Sequence, residues 1–320
     1  MEAYTIERVL ATALFGDVVL CQDIYTGEQV AIKRMDLAAA KNHKTLLDHR
    51  HVAEDVGFEA QVNRKIHAGG GHPHLLRMRT DFVQDECLHF VYDYCAGGDL
   101  LDKLARETRF GTHMALKYFC DIVKAVERLH EFGFAHRDLS LENVLLDADN
   151  QCHVCDFGLA CHVATVHSSR VGKKFYMAPE VVAGEDYDAV KADVWSLGML
   201  LFEMLSGAPL FGEASASDPR FHVLQTAGPA TLFQGVEDSE IVQLLTELVS
   251  LDPLKRPSMH MILQHPVVRR AMVSKMETPS SSSVVSGYMA GMASSTVVTY
   301  LNRLLLSPWR SLDPRAAGRA

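Results

Sequence analysis

The sequence predicts an α+β fold with two unequal lobes, and three observations lead to this prediction. Runs rich in β-branched and aromatic residues fill the first part of the chain. From residue 99 onward, apolar residues instead recur with the period of a helix. The small-residue stretch at 96–98 separates the two parts. We therefore expect a β-rich lobe over about residues 1–92, a connector over 93–98 and a larger, mainly helical lobe over 99–270.

The first lobe is expected to combine a sheet with one main helix. Strands are predicted at 6–10, 15–24, 28–35, 75–83 and 87–94. The small-residue sequence ATAL at 11–14 would separate the first two strands. A helix is predicted over 38–66, and the Gly69–Gly71 run would end it. Its apolar face includes Val56, Val62 and Ile66.

The second lobe is expected to be helical over 99–131 and again over most of 188–273. Short strands and loops are predicted for 134–180. The Ser-rich composition after residue 276 predicts a flexible tail over 276–320, with an amphipathic helix at 296–306. This tail has four arginines and two acidic residues. It would bind the acidic body of the chain as an autoinhibitor, bind a partner protein, or have no binding role.

The composition is that of a soluble globular protein, with 48% hydrophobic and 22% charged residues among 320. A net charge of -9 argues against a partner such as nucleic acid or an anionic membrane surface. We find no secretory signal and no apolar run long enough to span a membrane. Seven scattered cysteines favour a reducing compartment, the cytoplasm or the nucleus. Cys152 and Cys155 lie on a predicted strand and would face opposite sides, so no metal site is expected there.

Short motifs in the middle of the chain carry the chemistry. In the string HRDLSLEN at 136–143, Asp138 can accept a hydroxyl proton and Asn143 can hold a metal ion. Asp156, in Asp-Phe-Gly, follows a buried strand and would add a carboxylate oxygen to the same metal ion. Lys33 ends the strand sequence VAIK and would face the same cleft.

These motifs, followed by Ala-Pro-Glu at 178–180, stand in the order and spacing of the eukaryotic protein kinases. The chain resembles that family from about Tyr4 to His265, and its catalytic loop is similar to the serine/threonine type. The resemblance implies a two-lobed enzyme that uses the cofactors ATP and Mg²⁺ to phosphorylate protein hydroxyl groups. The alternative is a weakly active kinase or a pseudokinase that serves as a binding scaffold.

The resemblance also implies the residues that contact ATP. Lys33 would bind the α- and β-phosphates and pair with a helical glutamate, for which Glu59 is preferred over Glu54. Tyr92 would be the bulky gatekeeper at the end of the last strand. The other residues implied to line the nucleotide site are Ala11, Ala13, Gly16, Val18, Ala31, Asp93, Cys95, Asp99 and Leu145.

Further roles implied by the family pattern concern regulation. Arg137, beside the catalytic aspartate, resembles the arginine that binds a phosphate on the activation segment. Ser169 is the preferred phosphorylation site, with Thr165 and Ser168 as alternatives. Asn63 stands one helical turn after Glu59, where the family usually has an apolar residue, and a polar group there is expected to loosen the helix. Such a kinase would need to be switched on.

Other residues resemble the structural supports of the family. Asp193 would hold the catalytic-loop backbone, and His136 would pack in the core. Glu180 and Arg256 would form a buried ion pair in the second lobe. Asp99 and Glu142 occupy places that receive arginines in kinases directed to basic substrates, so protein substrates with basic residues are expected.

The glycine-rich loop departs from the family pattern. Where the family has G-x-G-x-x-G-x-V, this chain has Ala11 and Ala13 before Gly16 and Val18. Two added Cβ atoms restrict how closely backbone amides can approach phosphate, so we expect weaker ATP binding but not its loss.

A second departure concerns the charge beside the transferred phosphoryl group. Ser140 stands where serine/threonine kinases usually have a lysine, and Lys173 stands where they usually have a threonine. These positions are neighbours in the family fold, so Lys173 would supply the charge missing at position 140. The alternative is that Lys173 is a solvated loop residue and that transfer is slow.

Overall fold

The computed structural model describes residues 1–233 and 235–274. The predicted tail over 276–320, with its helix at 296–306, lies outside the described residues. Within them, no helix is both long enough and apolar enough to cross a membrane.

The first lobe contains a five-stranded antiparallel sheet in the order β1-β2-β3-β5-β4. Its strands are β1 (Tyr4–Ala13), β2 (Gly16–Asp23), β3 (Gln29–Asp36), β4 (Met78–Gln84) and β5 (Cys87–Asp93). The expectation that residues 11–14 separate two strands is wrong, since Ala11 and Ala13 belong to β1 and pair with Val18 and Gly16. Only Leu14 and Phe15 remain in the turn, which makes this hairpin tighter than expected.

The helix predicted over 38–66 is instead two helices, α1 (Leu37–Lys41) and α2 (Val56–Ala68). Local polar side chains account for the break. The Asn42 amide bonds back to the carbonyl of Ala38, and His43 has a positive φ of 50°. Asp55 then starts α2, because its carboxylate accepts the amide of Phe58 at 2.9 Å.

The second lobe holds the remaining helices and short strands of the described chain. The strands are β6 (Gly98–Asp99), β7 (Phe134–Ala135), β8 (Val144–Leu146), β9 (Cys152–Val154) and β10 (Cys161–His162). The helices are α3 (Leu100–Glu107), α4 (Thr112–Glu131), α5 (Pro179–Ala183), α6 (Ala189–Ser206), α7 (Pro219–Ala227), α8 (Ser239–Leu248), α9 (Met259–Gln264) and α10 (Pro266–Ser274). The predicted helix over 99–131 is interrupted at Thr108, whose φ is +64°.

Each lobe has its own hydrophobic packing. In the first lobe, Val30, Ile32 and Val91 pack on one face of the sheet. Residues on the other face, including Met35 and Tyr92, pack toward α2. In the second lobe the core surrounds α4 and α6, which are buried along most of their length. The two lobes approach each other where Lys33 of β3 lies 3.5 Å from Asp156, which follows β9.

Candidate active site

Lys33 is placed by the alternation of β3. Its neighbours Val30 and Ile32 face the far side of the sheet, so Ala31 and Lys33 face the cleft. The Lys33 Nζ lies 2.7 Å from Oε1 of Glu59 on α2 and 3.5 Å from Oδ1 of Asp156. Burial alone would lower the pKa of Lys33, but Glu59 and Asp156 raise it well above its usual value. The lysine is therefore held as a cation, and Glu59 rather than Glu54 is its hydrogen-bonded partner.

Asp138 and Asn143 lie on one loop between β7 and β8. The Asn143 amide donates to the Asp138 backbone carbonyl at 2.7 Å and to its Oδ2 at 2.9 Å. Asp193 of α6 supports the start of this loop, because its carboxylate accepts the backbone amides of His136 and Arg137 at 2.8 and 2.9 Å. Burial alone would raise the pKa of Asp193, but the hydrogen bonds and charges of His130 and His136 bring it below its usual value.

Asn143 and Asp156 stand at the same end of one hairpin. Asn143 immediately precedes β8 and Asp156 follows β9, and these strands pair antiparallel with Val144 opposite Val154. The backbone amide of Cys155 donates to the carbonyl of Asn143 at 3.0 Å. Because the nitrogen of the Asn143 amide is used by Asp138, its oxygen is the atom left for a cation. Asp156 has a φ of +66°, an uncommon conformation for a residue other than glycine.

This pair of oxygen donors fits Mg²⁺ bound together with phosphates. Among residues 1–233 and 235–274, no group of three or more His, Cys, Asp or Glu side chains could hold a metal ion by itself. Magnesium commonly takes one or two protein ligands and completes its shell with water and substrate phosphates. The donor set therefore suits a metal that arrives with a nucleotide.

Lys173 is not a solvated loop residue. Its Nζ lies 2.9 Å from Oδ2 of Asp138 and 2.9 Å from the Ser140 hydroxyl, and its backbone amide donates to Oδ1 of Asp138 at 3.0 Å. Only 13% of the Lys173 side chain is exposed, and Ser140 is fully buried. The neighbouring Lys174 instead points to Glu213, at 3.8 Å.

The other residues predicted to contact the nucleotide differ in burial and in their contacts. Val18, Ala31 and Leu145 are half-buried, as expected of apolar side chains that face a cleft. Cys95 of the connector is buried, and Asp93 is tied to Arg79 of β4. Asp99 caps α3 by accepting the amide of Asp102 at 2.7 Å, so its carboxylate has a structural task that the sequence analysis missed. Burial raises the pKa of Asp99 to about 6.

The β1–β2 hairpin is anchored at its tip, another feature that the sequence analysis missed. Phe15 is buried against Met35 and Ala40 of the first-lobe core. Its carbonyl accepts the amide of Asp36 at 2.8 Å, and the carbonyl of Leu14 accepts the amide of Leu46 at 3.0 Å. A Cβ at Gly16 would lie 2.0 Å from the carbonyl oxygen of Arg34, so only glycine fits there. The hairpin is therefore fixed to the segment between α1 and α2.

Comparison with known proteins identifies this arrangement. The family model of the protein kinase domain matches residues 4–268. The chain belongs to the protein kinase family. It is similar to CBL-interacting protein kinase 30 of Oryza sativa subsp. japonica, with 32% identity over 276 residues, 85% of this chain and 55% of that protein. Serine/threonine-protein kinase SRK2F of Arabidopsis thaliana is 32% identical over 278 residues, 83% of this chain and 74% of that protein.

A third relative is serine/threonine-protein kinase kin-29 of Caenorhabditis elegans, with 29% identity over 264 residues, 82% of this chain and 30% of that protein. The chain thus spans about half the length of the rice relative. The predicted kinase family and the predicted two-lobed α+β fold are both confirmed.

The activation segment of this kinase domain reaches Arg137. The Arg137 Nη1 lies 3.1 Å from the hydroxyl of Ser169, which is exposed, and 3.5 Å from the hydroxyl of Tyr187. Thr165 hydrogen-bonds within its own turn, to His162 and His167. Ser168 is exposed. Of the three predicted phosphorylation sites, the structure brings Ser169 to the arginine.

Two buried polar pairs support the kinase domain away from the cleft. Arg256 forms two hydrogen bonds with Glu180, at 2.6 and 2.8 Å, and the Arg256 side chain is fully buried. His136 is buried, and its Nε2 lies 3.0 Å from the carbonyl oxygen of Cys155. Both arrangements agree with structural roles for these residues.

Glu203 is a buried acid that the sequence analysis missed. The Tyr176 hydroxyl donates to its Oε2 at 2.5 Å, and only 5% of Glu203 is exposed. Burial raises the pKa of Glu203 to about 7. Its neighbours in α6 are apolar, so the sequence around it is that of a buried helix. The charged side chain of Glu203 itself was the only signal in the sequence.

Asn63 does not have the loosening effect expected from the sequence. It is 2% exposed, and its amide donates to the backbone carbonyl of Glu59 at 3.0 Å and to the Tyr92 hydroxyl at 3.2 Å. A buried amide with two acceptors is satisfied, so it does not weaken the packing of α2 on the sheet. The sequence could not reveal its partner on β5.

Proposed function

We propose that this chain is an active serine/threonine protein kinase, which transfers the γ-phosphate of ATP to hydroxyl groups of proteins with Mg²⁺. The convergence of Lys33, Asp138, Asn143 and Asp156 at one edge of the cleft carries this proposal. Their residue types match the tasks of phosphoryl transfer, which relies on positioning and on charge stabilisation. The serine/threonine kinases among the relatives support the substrate class.

Each residue would have one task in the reaction. Mg-ATP, when bound, supplies the phosphoryl group, and the metal ion neutralises part of its charge. Lys33, held by Glu59, would bind the α- and β-phosphates, and Asn143 with Asp156 would hold Mg²⁺. Asp138 would orient the substrate hydroxyl and accept its proton. A carboxylate has about four lone-pair sites. Because three hydrogen bonds to Asn143 and Lys173 use this carboxylate, one site remains for the substrate.

Lys173 would replace the lysine that most serine/threonine kinases carry at position 140. Its ammonium, between Asp138 and Ser140, lies where positive charge can stabilise the transferred phosphoryl group. Its hydrogen bond to the Ser140 hydroxyl holds the ammonium in place, as the threonine of the usual pair would hold the lysine. We infer that the pair has been exchanged and not lost.

The substrates would carry basic residues near the target hydroxyl. Asp99, Glu142 and Glu203 supply acidic groups on the second lobe, and Glu142 and Glu203 interact electrostatically with each other. A guanidinium bound between two carboxylates would relieve their mutual repulsion. Free cysteines throughout the described chain support a reducing compartment, and we propose the cytoplasm.

The second candidate is a pseudokinase scaffold, which Ala11, Ala13 and Ser140 favour. The intact Lys33–Glu59 pair and the charge at Lys173 count against it. ATP is expected to bind more weakly than in kinases with a complete glycine-rich loop, since β1 continues through both alanines.

A phosphate-transfer assay tests the proposed function. The full chain is incubated with Mg-ATP and a basic protein that contains serine and threonine, and phosphate incorporation is measured. We expect incorporation that falls by at least about a thousandfold in Asp138→Asn and Lys33→Met. Glu127→Gln, at a half-buried position of α4 outside the proposed site, serves as the matched control and should match wild type. Equal incorporation in Asp138→Asn and wild type would contradict the proposal.

The exchange of positions 140 and 173 has its own test. Lys173→Met should lower kcat by about 10²- to 10³-fold, whereas Lys174→Met should change it less than twofold. The double variant Ser140→Lys with Lys173→Thr restores the usual pair and should regain most of the activity. Equal losses at 173 and 174, or no gain in the double variant, would contradict the exchange.

Phosphorylation of Ser169 would switch the enzyme on. A phosphate there adds a charge of about -1.5 to -2 beside Arg137. Phosphatase treatment should lower the activity of the wild type but not that of Ser169→Ala. The same fall in both proteins would exclude Ser169 as the regulatory site.

A further inference from the structure

Three buried polar side chains meet behind the Lys33–Glu59 pair. Glu59 and Asn63 are 2% exposed, and Tyr92 is 8% exposed. The Asn63 amide donates to the Tyr92 hydroxyl at 3.2 Å. Burial raises the pKa of the neighbouring Glu59 carboxyl, and the Tyr92 hydroxyl counters part of that rise. The other Asn63 hydrogen bond, at 3.0 Å, goes to the backbone carbonyl of Glu59. Asn63 therefore joins Tyr92 of the sheet to the backbone of Glu59, the partner of Lys33.

We propose that Tyr92 and Asn63 are positioning residues for the Lys33–Glu59 pair, and that they join α2 to the sheet through the Tyr92 hydroxyl. The inference rests on the proposed role of Lys33 in phosphate binding. It gives Tyr92 a second task beyond lining the nucleotide site, and it gives Asn63 a task that an apolar residue at that position could not perform.

The donors and acceptors fit this assignment. A tyrosine hydroxyl has one proton to donate and lone pairs to accept. A lone pair of the hydroxyl receives the Asn63 amide, so the hydroxyl proton is free to point to an acceptor, and an ionised Glu59 can only accept. Asn63 has two amide protons, and its two acceptors use both. The direction of both Asn63 hydrogen bonds is thereby fixed.

The elements that carry these groups explain why the link matters. Tyr92 lies on β5 opposite Ala31 of β3, two residues from Lys33, on the face that packs toward α2. Glu59 and Asn63 are one turn apart on α2 and project to the same side. The hydroxyl thus bridges the strand layer that carries Lys33 and the helix that carries its partner. Movement of α2 away from the sheet would break the Lys33–Glu59 pair and this link together.

The energetics of a buried link are asymmetric. Removing one partner leaves the others without a hydrogen bond in a dry site, whereas replacing both by apolar groups can be nearly neutral for stability. A side chain that acts through Glu59 should therefore affect the positioning of Lys33 more than the binding of the adenine ring. Since phenylalanine keeps the tyrosine ring, Tyr92→Phe isolates the hydroxyl.

A double-mutant cycle in the full chain tests the link. Initial rates with Mg-ATP and a basic protein are measured for wild type, Tyr92→Phe, Asn63→Leu and the double variant. We expect Tyr92→Phe to lower kcat by about three- to tenfold, with less than a twofold change in KM for ATP. The double variant should lose no more than Tyr92→Phe alone, because both changes break one unit.

Two further variants make each outcome decisive. Tyr118→Phe is the matched control, because the Tyr118 hydroxyl is buried in α4 and has no hydrogen-bond partner among the described residues. Any of three results would overturn the inference. The first is a wild-type kcat in Tyr92→Phe, and the second is a kcat loss in the double variant that equals the product of the two single losses. The third is a kcat loss in Tyr118→Phe equal to that in Tyr92→Phe. The variant Lys33→Met shows whether a negative result concerns only this inference or the proposed active site as a whole. Full activity in Lys33→Met would overturn the assigned site and the inference with it, whereas an inactive Lys33→Met beside a wild-type Tyr92→Phe would overturn the inference alone.

Discussion

Charged side chains in this protein differ widely in how much they are expected to contribute to the stability of the fold. Arg256 and Lys255 illustrate the two extremes. Arg256 is fully buried, bonds both oxygens of Glu180 and also donates to the carbonyls of Lys191 and Ser250. Lys255, its neighbour, is 77% exposed and lies 3.9 Å from Asp252. A buried pair that loses one partner leaves an uncompensated charge, whereas an exposed pair is screened by water.

Arg256→Met should therefore lower the free energy of unfolding by about 3–5 kcal/mol. Lys255→Met, the adjacent control, should change it by less than about 1 kcal/mol. Urea unfolding followed by circular dichroism measures both. Similar losses at the two positions would mean that the Glu180–Arg256 pair does not stabilise the second lobe as its burial indicates.

At the scale of elements, the β1–β2 hairpin departs from the family's glycine-rich sequence, and its tip is held in place by contacts with the rest of the first lobe. Alanines extend the strand pairing to Ala13 and Gly16, and the turn is held by the buried Phe15 ring and by the Leu46 amide. The hairpin carries Val18, which is predicted to contact the nucleotide. Its stiffness would position the loop without the mobility that three glycines give.

Gly16→Ala should disrupt this hairpin, because the added Cβ would lie 2.0 Å from the carbonyl oxygen of Arg34. We expect a loss of stability of about 1–3 kcal/mol and a KM for ATP raised at least threefold. Gly111→Ala is the control, since an added Cβ there meets no described atom within 4 Å and φ is -63°. If the two variants have equal KM values for ATP, the close approach at Gly16 does not control the nucleotide loop.

Helix α6 contributes a pH dependence through Glu203. Burial raises its pKa from 4.5 to about 7 in the folded chain. Between these values the unfolded chain has released a proton that the folded chain keeps, so the free energy of unfolding falls as the pH rises from about 4.5 to 7. Glu203→Gln should remove part of this fall. Urea unfolding at pH 5 and pH 7.5 measures it, with the exposed Glu237→Gln as control. An unchanged fall in Glu203→Gln would contradict the raised pKa.

At the scale of the whole molecule, the described residues contain both lobes and every residue of the proposed active site. The core of the second lobe is closed by α9 and α10, whose Ile262, Val267 and Val268 are buried. A chain that ends at Ser274 should therefore fold with a melting temperature within a few degrees of the full chain.

The same truncation addresses the role of the tail. The sequence allows the basic tail either to bind the acidic body of the chain or to bind a partner. If the tail binds the body as an inhibitor, the truncated chain should show a higher kcat/KM than the full chain at low salt, and the difference should shrink at high salt. Equal kcat/KM values at both salt concentrations would exclude autoinhibition of this kind.

The sequence by itself determined the family, because the residues that define it sit in short motifs whose order and spacing do not depend on tertiary contacts. Residue composition and periodicity predicted the two lobes. The motifs named Lys33, Asp138, Asn143 and Asp156, whose roles stay predictions until they are assayed. The sequence predicted the boundaries of the helices less accurately. The break between α1 and α2 depends on local bonds such as that from Asn42 to Ala38, which compete with helix formation.

Only the tertiary structure decided how groups distant in the sequence are paired. Asn63 looked like a defect in the sequence, and its partner Tyr92 lies 29 residues away on another element. The Lys173 ammonium reaches Asp138 and Ser140 across more than 30 residues. The cost of a buried polar group depends on whether a partner lies within hydrogen-bond distance, and that distance is a property of the packed fold.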